Sequence, residues 1–214
     1  EKLKHIKVRG NASVISTAHQ HELPELEPLY RFFKNIGSNV SFAGLREKPF
    51  DINKISKMLS QHNDVLEFVT QFVSECDTGV DKIAITSRKD EAGVEVFYPI
   101  FLHKDGDGKS NPLTHHTESS GTKALFRSLP LYKAVLNVGG VLVLDEFDIH
   151  LHPHILPKLI ELFLDESSNP KHAQLLFTTH DTAVLDELGR YRVYLVNKLD
   201  NESFTYRLDE IPGE

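Results

Sequence analysis

The chain has 214 residues, 40% of them apolar and 26% charged, with a formal net charge of −7. That is enough chain for one or two domains with a sizeable core, and the balance excludes disordered and fibrous classes. No apolar run reaches the ~18–20 residues that span a bilayer, a single cysteine (Cys76) excludes an internal disulfide, and the acidic balance argues against a broad nucleic-acid-binding face. A reducing, cytoplasmic setting without membrane contact is the expectation. The chain opens at Glu1 and its only methionine is Met58, so a fragment of a longer protein is expected.

Residues 2–10 (KLKHIKVRG) form a short basic alternation that suits a strand or the severed end of something larger. Leu26, Leu29, Tyr30, Phe33 and Ile36 recur at helical spacing, with Gly37 as the expected stop. Two further helices are predicted over residues 51–59 and 63–75, the latter with Val65, Leu66, Val69, Phe72 and Val73 on one side. Residues 1–80 therefore read as a helical subdomain, and residues 81–214 as a second unit. Residues 82–88 and 94–103, rich in branched and aromatic side chains, predict two strands, and the composition of 104–111 predicts a turn after them. A helix is expected over 121–136, interrupted at Pro130. The run 141–146 (VLVLDE) predicts a strand buried on both faces. A helix over 155–163, a second buried strand over 174–179 and a short helix over 181–188 come next, and strands at 192–198 and 203–208 close the chain. Strand, helix, strand at this spacing makes a βαβ unit, hence an α/β class with a parallel sheet.

Three segments carry chemistry. VLVLDE ends in adjacent carboxylates, Asp145 and Glu146, which are costly to bring to the mouth of a buried strand unless a cation or a reaction uses them. In phosphoryl transfer one carboxylate holds Mg²⁺ and its neighbour polarises the attacking water. QLLFTTHD (174–181) repeats the design, with His180 and Asp181 at the strand's carboxyl end, where open α/β sheets bind ligands. ESSGT (118–122) places Ser119, Ser120, Gly121 and Thr122 at a helix start. There they serve either as an anion site or as ordinary caps.

In this order the segments resemble the carboxyl-terminal half of an ABC-type ATPase of the SMC and RecF kind, closest to bacterial AAA-family ATPases of abortive-infection and anti-phage systems. The matching pieces are ESSGT as the signature motif, VLVLDE as the Walker B strand, HLHP (150–153) as the D-loop, LLFTTHD as the switch strand and RVYLVNK (192–198) as part of the closing strand pair. The resemblance implies a P-loop NTPase-like head with parallel core strands, preceded by a helical subdomain. It implies ATP and Mg²⁺ as cofactors, Asp145 as the Mg²⁺ carboxylate, Glu146 as general base and His180 as γ-phosphate sensor. Ser119, Ser120, Gly121 and Thr122 would meet the nucleotide of another protomer, with Leu151 and His152 at the dimer seam. It further implies a second protomer as partner, an effector protein as output and a role in phage defence, with nucleic acid an open possibility.

The phosphate-cradling G-x-x-x-x-G-K-[ST] loop is not found. Its nearest match, residues 103–110 (HKDGDGKS), has His103 in place of the first glycine, and its Asp105 and Asp107 would repel phosphates. It reads as a turn, and the fragment alone is expected to be inactive. Two rival readings remain. A metal-dependent hydrolase or nuclease would use Asp145, Glu146, Asp148, His150 and His152, since alternation over residues 148–154 would aim Asp148, His150, His152 and His154 to one side of a strand. A non-catalytic scaffold would use the same fold only to hold a partner.

Overall fold

A computed structural model describes residues 8–41, 44–45, 51–76 and 78–211. The strand expected over residues 2–10 lies largely outside these. Helices α1 (Val14–Gln20) and α2 (Glu27–Lys34) come first, and then short strands β1 (Ile36–Ser38), β2 (Val40–Ser41) and β3 (Gly44–Leu45). Helices α3 (Ile52–Gln61) and α4 (Asn63–Glu75) lead into β4 (Val80–Lys89), β5 (Glu95–Lys104) and β6 (Ser110–Thr114). The long helix α5 (Ser120–Val138) is followed by β7 (Val141–Leu144), α6 (Leu156–Leu164), β8 (Gln174–Phe177), α7 (Leu185–Leu188) and the hairpin β9 (Tyr194–Leu199) and β10 (Glu202–Arg207).

Two three-stranded sheets organise the molecule. One is parallel, in the order β1-β7-β8, and the other is antiparallel, in the order β4-β5-β6. Between them runs one core. Val69, Phe72 and Val73 of α4, Ile83 of β4 and Phe101 of β5 join Leu125, Phe126 and Leu129 of α5, Leu142 of β7 and Leu159 of α6 in a single buried cluster. α3 lies against β5, α4 touches both β4 and α5, and α6 rests on β8. This core therefore runs without a break across residue 80.

Local chemistry explains where the helices begin and end. Ser13 caps α1 by accepting the Ser16 N–H (3.0 Å), Asp51 caps α3 through the Asn53 N–H (2.9 Å), and Ser119 caps α5 through the Thr122 N–H (3.1 Å). α5 stops at Gly139, whose φ of +66° suits glycine, and the Gly140 N–H closes the end on the Val135 carbonyl at 3.0 Å.

Away from the candidate site, the structure corrects the sequence reading at several points. Gly37 does not end a helix. α2 stops at Lys34, and Ile36 and Gly37 pair in parallel with Val141 and Leu142. A side chain at Gly37 would begin 3.1 Å from Leu131 and 3.4 Å from Leu142, so glycine there lets α5 lie close over the sheet. The apolar face of α2 is not core either, since Leu29 and Phe33 are exposed. Pro130 does not interrupt α5, which runs through it. An internal proline costs about 3 kcal/mol, whereas each fully buried large side chain contributes about 1.5–3 kcal/mol. Leu125, Phe126, Leu129, Tyr132, Val135 and Leu136 are all buried on this helix, so burial wins. Finally, the turn expected over 104–111 is confined to 105–109, and Ser110–Thr114 is a strand. Lys109 thus lies in a hairpin loop and no helix comes directly after it, which is not the setting of a phosphate loop.

Gly140 generates a stability test. A Cβ on it would fall 2.3 Å from the Asn35 carbonyl oxygen, whereas one on Gly106 meets nothing within 4 Å. Gly140→Ala is expected to lower unfolding free energy by about 1–3 kcal/mol in urea titrations, the range of overpacked interiors. Gly106→Ala should leave the midpoint unmoved. Equal midpoints for the two variants would contradict the close approach of the α2–β1 and α5–β7 connections.

Candidate functional site

The parallel register Leu144↔Phe177 brings the carboxyl ends of β7 and β8 side by side, and the ladder continues past both strands. The Thr178 N–H bonds the Leu144 carbonyl at 3.0 Å, and the Phe147 N–H bonds the Thr178 carbonyl at 2.9 Å. Thr178 therefore sits beside the acid pair. Its hydroxyl donates to the Asp145 carboxylate at 2.5 Å and accepts the Glu146 N–H at 3.0 Å. One threonine oxygen thus holds the Asp145 carboxylate and the Glu146 backbone. Glu146 itself has φ +50°, an αL backbone for a non-glycine residue and a conformation that gathers at functional turns.

A second clasp holds the same point from the other side. At the end of β1, the Asn39 side chain accepts the Asp145 N–H (2.8 Å) and donates to the Asp145 carbonyl (2.7 Å), as a neighbouring strand would. Sequence reasoning singles out neither Asn39 nor Thr178. The TT before His180 offers a signal for Thr178, since hydroxyls beside a carboxylate pair are natural donors. Asn39 offers none, being 106 residues from its partner.

One residue further along from Thr178, the Thr179 hydroxyl donates to Asp148 at 2.8 Å. Partial burial of Asp148 would raise its pKa. The Thr179 hydroxyl, its own and the His180 backbone N–H groups and the nearby His180 imidazole outweigh that and hold the carboxyl below its ordinary range. His180 is exposed. Asp181 caps the short turn after it, accepting the Ala183 N–H at 2.9 Å.

The loop 148–154 is a series of turns and a short 3₁₀ segment (Pro153–Ile155), with His150 at φ +64°; it is not a strand. The alternation that would aim Asp148, His150, His152 and His154 to one side is therefore absent. Among the described residues no group of three or more His, Cys, Asp and Glu converges on a possible metal position. His152 and His154 instead stack on each other with centroids 5.0 Å apart. Leu151 is half-buried against the core and His152 is exposed.

The start of α5 approaches this loop, since a Cβ on Gly121 would lie 3.6 Å from the His150 carbonyl oxygen. Ser119 and Ser120 are exposed, whereas Thr122 is buried with its hydroxyl 2.9 Å from that of Ser119. Of the four residues, Ser119 uses its hydroxyl in the cap that Thr122 locks, and Ser120 is exposed beside it. As a donor set, Asp145, Glu146 and Thr178 present oxygen only, which fits a hard divalent cation such as Mg²⁺ and not a soft one. Thr178 occupies one Asp145 oxygen and leaves the other for such an ion.

The family described as "AAA domain, putative AbiEii toxin, Type IV TA system" matches residues 1–186. A curated relative, "Retron Vc95 probable ATPase" of Vibrio cholerae serotype O1 biovar El Tor, is 23% identical over 168 residues, which is 78% of this chain. The chain spans 31% of that relative's length over the match. Among solved structures, one from work on "ATP-driven dimerization and DNA stimulated activation of SMC ATPases" overlaps 72% of this chain and 89% of its own at 13% identity, with a TM-score of 0.49. The SMC head domain from Thermotoga maritima overlaps 85% of this chain and 60% of its own at 17% identity, with a TM-score of 0.47. No helix among the described residues is long and apolar enough to cross a membrane.

The Thr179–Asp148 bond yields a pH test. In carboxyl NMR titrations Asp148 is expected to titrate below 3.8, with Thr179→Val moving its midpoint up and Thr179→Ser restoring it. A folded pKa held below the unfolded one means that this contribution to stability is present above the unfolded pKa. It is lost as pH falls through the lowered value. A midpoint at or above 3.8 in the unsubstituted protein would contradict the described geometry.

Proposed function

Since the chain belongs to this AAA-domain family, we propose that it is the γ-phosphate-sensing and hydrolytic part of an ABC-type ATPase that works as a dimer. The observation that carries the reading is the Thr178 hydroxyl, bonded at once to the Asp145 carboxylate and the Glu146 N–H at the ends of two parallel strands. Such a clasp prepares two neighbouring acids for two different tasks in one cleft.

In this reading Asp145 holds Mg²⁺ through the oxygen that Thr178 leaves free, Glu146 takes the proton from the attacking water, and His180, exposed at the next strand end, meets the γ-phosphate. Bound Mg²⁺ would neutralise charge on the phosphates. The turn Ser119, Ser120, Gly121 and Thr122 is the element offered to a nucleotide held by a second protomer, with both serines exposed and Thr122 buried beneath them, and Leu151 and His152 lie at the seam. Residues 81–214, joined by β1, make up the hydrolytic lobe, and residues 1–80 otherwise supply a largely helical subdomain.

The phosphate-cradling element is assigned to another part of the complete protein, and the parallel sheet supports this. Among the described residues nothing pairs with the edge of β8 away from β7, and Leu176 on its bare face is 51% exposed. Parallel sheets are ordinarily covered on both faces, so an added strand and layer at β8 complete the architecture. The family description names a toxin system and the relative is named for a retron. Both support a defence role in which ATP controls an effector.

The test is Glu146→Gln in the complete protein. ATP turnover is expected to fall by about 10²-fold or more, the usual loss when a general base is removed, while an ATP-bound dimer accumulates in size-exclusion chromatography. Normal turnover in that variant would sink the reading.

A further inference from the structure

Glu118, which directly precedes the exposed serines, is buried, and its side chain keeps 3% of its accessible surface. A carboxylate in that position is costly to desolvate unless it is paired and fully hydrogen-bonded. Its partner comes from the other sheet. His103 on β5 lies with Nε2 2.5 Å from Glu118 Oε1, and the Ser119 N–H donates to Oε2 at 3.3 Å. The surroundings are shaped to this contact. Gly79, at φ +77°, leaves room for the imidazole, because a Cβ there would lie 3.2 Å from His103 Nδ1. The Thr114 carbonyl at the end of β6 accepts both the Thr117 and Glu118 N–H groups, at 3.0 and 3.2 Å.

The end of β5, the end of β6 and the first turn of α5 are therefore tied together at one residue, β5 and α5 through the Glu118 carboxylate and β6 through its backbone N–H. As a source of stability this is a poor choice, because buried polar pairs are often matched or bettered by apolar residues of similar volume. As a means of setting position it is a good one, because the contact has a direction and a single register. Two bonds fix the Glu118 carboxylate, and one of them runs to the backbone of Ser119 itself.

We propose that Glu118 and His103 are positioning residues, whose buried contact orients the Ser119–Thr122 turn toward a nucleotide held by a second copy of the chain. The inference rests on the nucleotide reading above and adds two residues to it. Neither touches the nucleotide in this scheme. Both act through the turn they hold, so the defect they cause lies in the partner's site and not in their own.

The test uses the complete protein with Glu118→Gln, His103→Gln, the double variant and Glu146→Gln. Each single positioning variant is expected to keep its KM for Mg·ATP while kcat falls about tenfold or more, and the double variant should be no worse than the poorer single one. Mixing Glu118→Gln protomers with Glu146→Gln protomers separates a positional role from a structural one. A mixed dimer pairs the intact acids of one protomer with the intact turn of the other. Random pairing should therefore restore about a quarter of wild-type turnover, because half of the dimers are mixed and each has one whole composite site. Wild-type turnover in Glu118→Gln, or no recovery on mixing, would overturn the proposal while leaving the ATPase reading in place. Absence of ATP turnover in the wild-type complete protein would overturn both. If Glu118→Gln does not fold, as judged by its thermal transition, His103→Gln carries the same mixing test, because that ring is less buried than the carboxylate.

Discussion

The pairing of β7 between β1 and β8 is the constraint on which the candidate site depends. Each neighbour contributes to the turn that succeeds β7, and each does so by extending the strand ladder with a side chain. Asn39 takes both backbone groups of Asp145, and Thr178 takes the Asp145 carboxylate and the Glu146 N–H. Had β7 been an edge strand, Asp145 could have been gripped from one side only. The left-handed backbone of Glu146 is tolerated because its neighbours on both sides are already fixed.

The two sheets divide the work. The parallel one presents acids, hydroxyls and His180 at one end of its strands. The antiparallel one holds α5 from the far side of the core through Phe101, Ile83 and the His103–Glu118 contact. α5 is thus the bridge between the acid pair and the serine turn. Its length and its burial across Pro130 make it a stiff one. A shift of the antiparallel sheet would reach the serines directly, because the carboxylate tied to β5 is adjacent in sequence to Ser119.

Much of this is legible in the chain. The continuous apolar run VLVL announces a buried parallel strand, whereas QLLF, expected to be buried as well, forms a parallel strand with Gln174 and Leu176 exposed; the polar ends DE and THD of the two mark the candidate site. The bounds of α4 come directly from its periodicity. The features that escape are those that depend on distant partners. Ile36 continues a helical period in sequence and Gly37 looks like its stop, whereas the close approach to Leu131 and Leu142 fits both into a strand. Ser110–Thr114 looks like loop by composition, with its Ser, Asn and Pro, and is a strand because it lies on the edge beside β5. The histidine alternation fails for the opposite reason. A two-residue period predicts one face only in a strand, and Pro153 with a left-handed His150 turns that segment into successive bends. Asn39 is the hardest case, a lone polar residue whose meaning lies 106 positions away.

That separation also sets an order of events during synthesis. α3, α4, the hairpins of the antiparallel sheet and α5 are made of contacts between near neighbours in sequence, and can assemble as they leave the ribosome. The Asn39 clasp closes a loop of about a hundred residues, an entropic cost that local contacts do not bear and that makes parallel pairing intrinsically slow. Thr178 emerges later still. The acids therefore leave the ribosome before the groups that orient them are both in place, and the chain spends its early life with Asp145 and Glu146 unaligned.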